Sequence, residues 1–160
     1  AIVDKKRRFG DWEADTVLGK NGTGAIVSLV ERKSKFYLIR KVPAKSAAEV
    51  SRAMVGMLWR YRRHVHTITA DNGTEFCGHE LVAEKLKTDV YFANPYSSWE
   101  RGLNENFNGL LRQFISKGTD LSTVTDEQIA QAQRALNLRP RKCLGYKQPA
   151  VVFNELRGAA

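Results

Sequence analysis

The sequence predicts an α/β fold in which a mixed five-stranded sheet is flanked by helices. Three observations predict it. Hydrophobic patterns run as three strand-like segments in succession, then alternate helix, strand, helix, strand, and end in helices. Turn-forming and capping residues punctuate these segments where they should stop and start. Finally, 160 residues with a 42% apolar fraction make a chain of the size that buries one core of its own.

Taken in order, Phe9 to Leu18 reads as a strand, and Gly19 to Gly24 supplies the residues of a hairpin turn. Ala25 to Glu31 and Phe36 to Val42 are the second and third strands, giving an antiparallel meander closed by Pro43. Ser46 is a helix N-cap with Glu49 at capping-box spacing, and Val50, Met54, Met57, Leu58 and Tyr61 repeat at helical intervals to about Arg63. His66 to Ala70 is a short strand that delivers Asp71 at its carboxyl end, where Asn72-Gly73 turns the chain. Glu80 to Lys87 is helical and Val90 to Ala93 is the fifth strand. After Asn94-Pro95-Tyr96, Ser97 caps a helix over Ser98 to Ser116, with Glu100 completing a second capping box. Its apolar face is Leu103, Phe107, Leu110, Leu111 and Phe114, while Glu105, Asn108 and Arg112 lie on another, polar face. Asp126 to Leu138 is a further helix, and a basic loop from Arg139 to Tyr146 leads into a last one, Pro149 to Leu156, with proline in its first turn.

The unusual bulk property is charge. Lys and Arg outnumber Asp and Glu by 26 to 17, a net +9, and the excess clusters at Lys5 to Arg8, Arg60 to Arg63 and Arg139 to Lys142. Such clustering points to a polyanionic partner, nucleic acid first. No apolar run is long enough to span a bilayer, and the first residues lack a signal-peptide pattern. Two cysteines, Cys77 and Cys143, are too few for a disulfide framework and lack zinc-site spacing, so free thiols in a reducing, cytoplasmic compartment are expected.

Against this basic background, Asp15 in WEADT, Asp71 in ITADNGTEF and Glu105 in SSWERGLNENF stand out. Their separation along the chain means that only a fold can bring them together. Carboxylates suit hard divalent ions, and magnesium keeps several waters and leaves room for phosphate oxygens. Two such ions about 3.5–4 Å apart can serve an in-line displacement at phosphorus, with Asp15 bridging both, Asp71 completing one and Glu105 the other. Histidines 64, 66 and 79 form no pair with a nucleophile, in keeping with chemistry that requires no imidazole base.

The segments GDWEADTV (Gly10 to Val17), TADNGTEF (Thr69 to Phe76), NPYSSWERGLNENFNGLLRQF (Asn94 to Phe114) and LNLRPRKCLGYKQPAVVFNE (Leu136 to Glu155) resemble the catalytic core of DDE transposases. The likeness is greatest to the family of the bacterial insertion sequence numbered thirty, and the 33 residues between Asp71 and Glu105 follow that family's pattern. The resemblance implies an RNase H-like fold, shared with retroviral integrases. It also implies that Asp15, Asp71 and Glu105 form a metal-binding catalytic triad using Mg2+, with Mn2+ as substitute. The implied reactions are cleavage that exposes a 3′-hydroxyl and direct attack of that hydroxyl on target DNA, with at least a dimer assembled on DNA. Members of the family carry helix-turn-helix segments ahead of this core, so the chain is expected to be an isolated core, with residues 1–8 a basic lead-in or linker and 9–158 a single catalytic domain. The rivals are a nuclease or retroviral-type integrase core with the same triad, and a catalytically silent DNA-binding or assembly module descended from a transposase. Possession of all three carboxylates argues against silence.

Other residues carry weaker expectations. Arg101, Asn104, Asn108, Arg112, Arg139, Arg141 and Lys142 are candidate DNA contacts. Glu13, on the same strand face as Asp15, is read as solvated or salt-bridged rather than a metal ligand. Glu75 is read as a local hydrogen-bonding group at the turn. Tyr96 and Trp99 anchor the helix that follows them, and Trp12 and Trp59 belong to the core.

Overall fold

Alternation along the first strand decides the layering. In β1 (Asp11–Leu18), Trp12 and Ala14 enter one hydrophobic cluster and Val17 enters the other, so successive side chains serve opposite faces of the sheet. The structure, a computed structural model, describes residues 8–71, 73–93 and 102–159. Strands β2 (Ala25–Glu31) and β3 (Tyr37–Val42) continue the same division. Ala25, Val27, Leu29 and Leu38 face one side, and Ile26, Val30, Tyr37 and Ile39 the other. The expected meander is present, because β1 pairs with β2 and β2 with β3, both antiparallel. Strands β4 (Thr67–Ala70) and β5 (Asp89–Phe92) then add in parallel on the far side of β1. The sheet order is therefore β3-β2-β1-β4-β5, a mixed five-stranded sheet as expected.

Helices cover both faces. On the first, α1 (Ala47–Leu58) and α2 (His79–Leu86) contribute Val50, Met54, Leu58, Val82 and Leu86, joined by Phe153 of the last helix, α5 (Pro149–Ala159). Phe153 is the hub of an aromatic cluster. Its ring stacks on Phe36 at 4.1 Å and meets Phe9, Trp12 and Tyr61 edge-on at 5.4, 5.9 and 5.2 Å. On the second face, α3 (Gly102–Leu111) and α4 (Asp126–Asn137) bury Leu103, Phe107, Leu111, Ile129, Ala132 and Leu136. Among the described residues no helix is long and apolar enough to cross a membrane.

The outer edge of β3 is sealed by side chains rather than by another strand. Asn137 of α4 accepts from the Tyr37 amide at 2.9 Å and donates to the Tyr37 carbonyl at 2.7 Å, while Gln133 accepts from the Ile39 amide at 2.9 Å. These amides close off an edge that could otherwise template another chain. Asn137→Ala leaves two buried backbone groups of Tyr37 unsatisfied and is expected to cost roughly 1–3 kcal/mol. Urea unfolding checks this as a lower midpoint at unchanged slope.

Two sequence expectations are corrected here. The helix expected to reach Arg63 is α-helical only to Leu58, and Trp59–His64 forms a tighter 3₁₀ segment. In that geometry residues three apart share a face, so Tyr61 follows Leu58 inward. Trp59 turns out instead, 49% exposed, with the Arg62 guanidinium 4.4 Å above its ring, and is not a core residue. Phe114, expected on the apolar face of α3, is 45% exposed because α3 ends at Leu111 and the chain turns to bury Ile115 in its place. The Ser46 cap is present, accepting from the Glu49 amide at 3.3 Å. The Ser97–Glu100 box, Tyr96, Trp99 and Asn72 lie outside the described residues.

Candidate active site

Neighbouring strands carry the first two carboxylates toward the same end of the sheet. The parallel pairing of β1 with β4 matches Asp11 to Thr67, Trp12 to Ile68 and Glu13 to Thr69, and ends two residues short of Asp15 and Asp71. Asp15 lies on β1 and Asp71 directly follows β4, on strands about 4.8 Å apart. The local backbone holds each. The Asp71 Oδ1 accepts from the Gly73 amide at 2.9 Å, an Asx turn that ends β4, and the Asp15 Oδ1 accepts from the Thr16 amide at 2.8 Å.

The third carboxylate arrives on α3, and a contact from that helix fixes its place. Asn108 Nδ2 donates to Asp15 Oδ2 at 3.1 Å, and Asn108 sits one helical turn after Glu105. Glu105 is exposed and shares a cleft of about 790 Å³ with Asp15, Asn108, Arg112, Lys20 and Lys117. Among the described residues no three His, Cys, Asp or Glu side chains converge closely enough to hold an ion. The donors are hard oxygens at the mouth of one sheet end, a set that fits a divalent cation of the magnesium type.

Asn108 is held from behind as well. Its Oδ1 accepts from the Tyr37 hydroxyl at 2.9 Å, and the Tyr37 ring stacks on Phe107 with centroids 4.9 Å apart. Burial, and then the nearby charge of Asp15, push the Tyr37 phenol far above its ordinary range, so it stays protonated.

Glu75 proves more than a local turn residue. It is buried, its Oε2 accepts from the Thr16 hydroxyl at 2.8 Å and pairs with Lys45 Nζ at 3.1 Å, so it ties the end of β1 to the link between β3 and α1. Its Oε1 lies against Gly73, where a side chain would collide with it and stand 2.8 Å from Asp71 Oδ1. A larger residue there would have to displace the Glu75 carboxylate. Burial pushes the Glu75 carboxyl up, but hydrogen bonds from Thr16 and its own backbone, with Lys45, outweigh it and hold it below its ordinary value of 4.5. A depressed carboxylate pKa contributes stability that is complete above the unfolded value and lost as pH falls through the folded one. Glu75→Gln is therefore expected to weaken the acid-side loss of stability below about pH 4.5, read by urea midpoints across pH.

Glu13, two residues before Asp15, is not part of the cleft. It is fully buried and pairs with Arg32 at 3.3 Å, the salt-bridged alternative of the sequence reading. Of the candidate DNA contacts, Arg112 borders the cleft, and Arg139 is half-buried and donates to Gln113 at 3.3 Å. Lys142 is exposed, whereas Arg141 is half-buried with its guanidinium 4.6 Å above the Phe107 ring. Arg101 and the side chain of Asn104 lie outside the described residues. Sequence reasoning missed Thr16, Tyr37 and Lys45, which no motif spacing links to the acids. Cys77 and Cys143 are both exposed and unlinked, as expected.

With this geometry in view, the chain can be set beside known proteins. The integrase core domain family matches residues 5–98. The transposase of insertion sequence element IS4351 from Bacteroides fragilis is 50% identical over 155 residues, which cover 97% of this chain and 48% of that protein. The InsI transposase of element IS30C from Escherichia coli K12 is 35% identical over 159 residues, covering 99% of this chain and 41% of that protein. The chain thus spans about half the length of the curated relatives it matches. In fold, the catalytic core domain of BIV integrase superposes with a TM-score of 0.70 at 21% identity, covering 93% of this chain and 96% of that one, which marks the sheet and its helices as RNase H-like. The match over more than half its length places this chain in the integrase core domain family, among the relatives of insertion-sequence transposases.

Proposed function

We propose that this chain is the catalytic core of a DNA transposase that cuts at element ends and joins the resulting 3′-hydroxyl to target DNA, with Asp15, Asp71 and Glu105 as its catalytic carboxylates. One observation carries the reading. The parallel pairing of β1 with β4 points Asp15 and Asp71 toward the same end of the sheet, and the Asn108 contact to Asp15 accompanies a cleft lined by both Asp15 and Glu105, which supports this reading. Asp15 would bridge two divalent ions, Mg2+ or Mn2+, with Asp71 and Glu105 each completing one. When bound, such ions supply activation of the attacking oxygen and neutralisation of charge at phosphorus. The chain's own part would be orientation: β1 and the end of β4 would present two carboxylates from neighbouring strands, and α3 would supply the third.

Residues 9–158 form the catalytic domain in this reading, and 1–8 its basic lead-in. Arg112 borders the cleft, and it is assigned to DNA contact together with Arg101, Asn104, Asn108, Arg139, Arg141 and Lys142. The working form is an oligomer of at least two chains on DNA, acting in the cytoplasm. Neutralising Arg139, Arg141 and Lys142 together is expected to reduce the slope of log affinity against log salt by up to about 2.7 for duplex DNA. Fluorescence anisotropy at several salt concentrations reads this, and an unchanged slope counts against the phosphate role.

The test of function is cleavage and joining on a branched DNA that mimics a transfer product, in Mn2+. This substrate asks little of end recognition. Products that vanish on chelation and return with added Mn2+ support the proposal. Intact substrate under both conditions, from a chain shown to bind the branched DNA, favours the silent-module reading.

A further inference from the structure

We infer that Tyr37 is a positioning residue for the carboxylate site, acting through Asn108 on Asp15. This rests on the reading of Asp15 as an ion-binding carboxylate. The direction of the hydrogen-bond chain follows from the chemistry of its ends. An ionised carboxylate only accepts, so Asn108 must present Nδ2 to Asp15, at 3.1 Å, and that leaves Oδ1 for the phenol. The Tyr37 hydroxyl, 2.9 Å from Oδ1, must then be the donor. Turning the Asn108 carboxamide over would set two acceptors against each other at Asp15.

Tyr37 is unusually well fixed for this task. Its ring is fully buried and lies nearly parallel to Phe107, with 19° between the planes, and Phe107 is the residue before Asn108 on α3. Its backbone amide and carbonyl are both held by Asn137 of α4. A side chain clamped at ring and backbone can hold the Asn108 amide in one orientation, and with it both the Asp15 carboxylate plane and the height of α3 above β1. Phenylalanine would pack in the same place, so the hydroxyl is the part that packing does not require. Groups that orient ligating carboxylates from behind contribute to ion affinity as well as to geometry.

The test measures Mn2+ binding by electron paramagnetic resonance, with urea unfolding alongside, for the parent chain, Tyr37→Phe, Asn108→Ala and their double variant. Tyr37→Phe is expected to weaken Mn2+ binding on the order of tenfold. Asn108→Ala is expected to do the same, and the double variant to lose less than the product of the two single losses, because the hydroxyl, which also meets Ser28, acts on Asp15 chiefly through the amide. Binding within twofold of the parent in Tyr37→Phe, or losses that multiply in the double variant, would overturn the relay. Should Tyr37→Phe lose its fold, Asn108→Ala cuts the same chain, and parental Mn2+ binding in that variant overturns the relay equally. Asp15→Asn separates the relay from the reading beneath it. Loss of Mn2+ binding there with normal binding in Tyr37→Phe rejects the relay alone, and intact binding in Asp15→Asn rejects the site itself.

Discussion

Asp15→Asn, Asp71→Asn and Glu105→Gln are each expected to lower strand joining on branched DNA by roughly a thousandfold or more. Charge stabilisation by a bound ion is worth several kcal/mol at the transition state, and each 1.36 kcal/mol is a decade in rate. The amides keep the shape of the side chains, so the fold is retained. In Asp15→Asn two small effects oppose. Relief of like-charge repulsion stabilises the variant, while the new carboxamide sets its NH2 against a donor in either orientation, the Asn108 amide or the Thr16 amide. The net change in unfolding free energy is expected to stay within about 1 kcal/mol, and DNA affinity at fixed salt is expected to hold. Joining within tenfold of the parent in any one variant removes that residue from the triad.

Phe153→Ala is expected to be the most damaging substitution for stability, at about 3–5 kcal/mol. The side chain is buried at the centre of Phe9, Trp12, Phe36 and Tyr61, and removing it opens a cavity whose walls come from β1, α1's 3₁₀ extension and the loop before β3. These walls belong to separate elements and have little freedom to collapse together. In addition, Phe153 is the deeply buried anchor of α5, so the last helix loses its hold on the sheet. A thermal midpoint lowered by roughly 10 °C is expected, and Phe153→Leu should recover part of it. A loss under about 1 kcal/mol in Phe153→Ala would show that α5 is dispensable to the core.

The strands were legible in sequence because they rest on local signals. Alternation at Asp11–Leu18 separates the two faces of that strand, the apolar run Ala25–Glu31 marks a strand covered on both faces, and the turn after Ala70 fixes where Asp71 emerges. The parallel pairing of β1 with β4 was not readable, since strand pairing is a tertiary choice. Trp59 was misplaced because a 3.6-residue period was carried into a segment that winds with three residues per turn. Glu75 was read as local because its partners, Thr16 and Lys45, lie 59 and 30 residues away in the chain. The side-chain seal on β3 escaped notice for the same reason: Asn137 meets Tyr37 across 100 residues, and nothing in the α4 sequence marks its amides as edge-capping groups.

The most direct test of the account is a crystal of the chain with branched DNA and Mn2+, with the anomalous signal of manganese measured at the carboxylates. The account predicts two peaks about 3.5–4 Å apart, both within coordinating distance of Asp15, one also of Asp71 and the other of Glu105. Manganese bound elsewhere, with the scissile phosphate remote from Asp15 and Asp71, would contradict it.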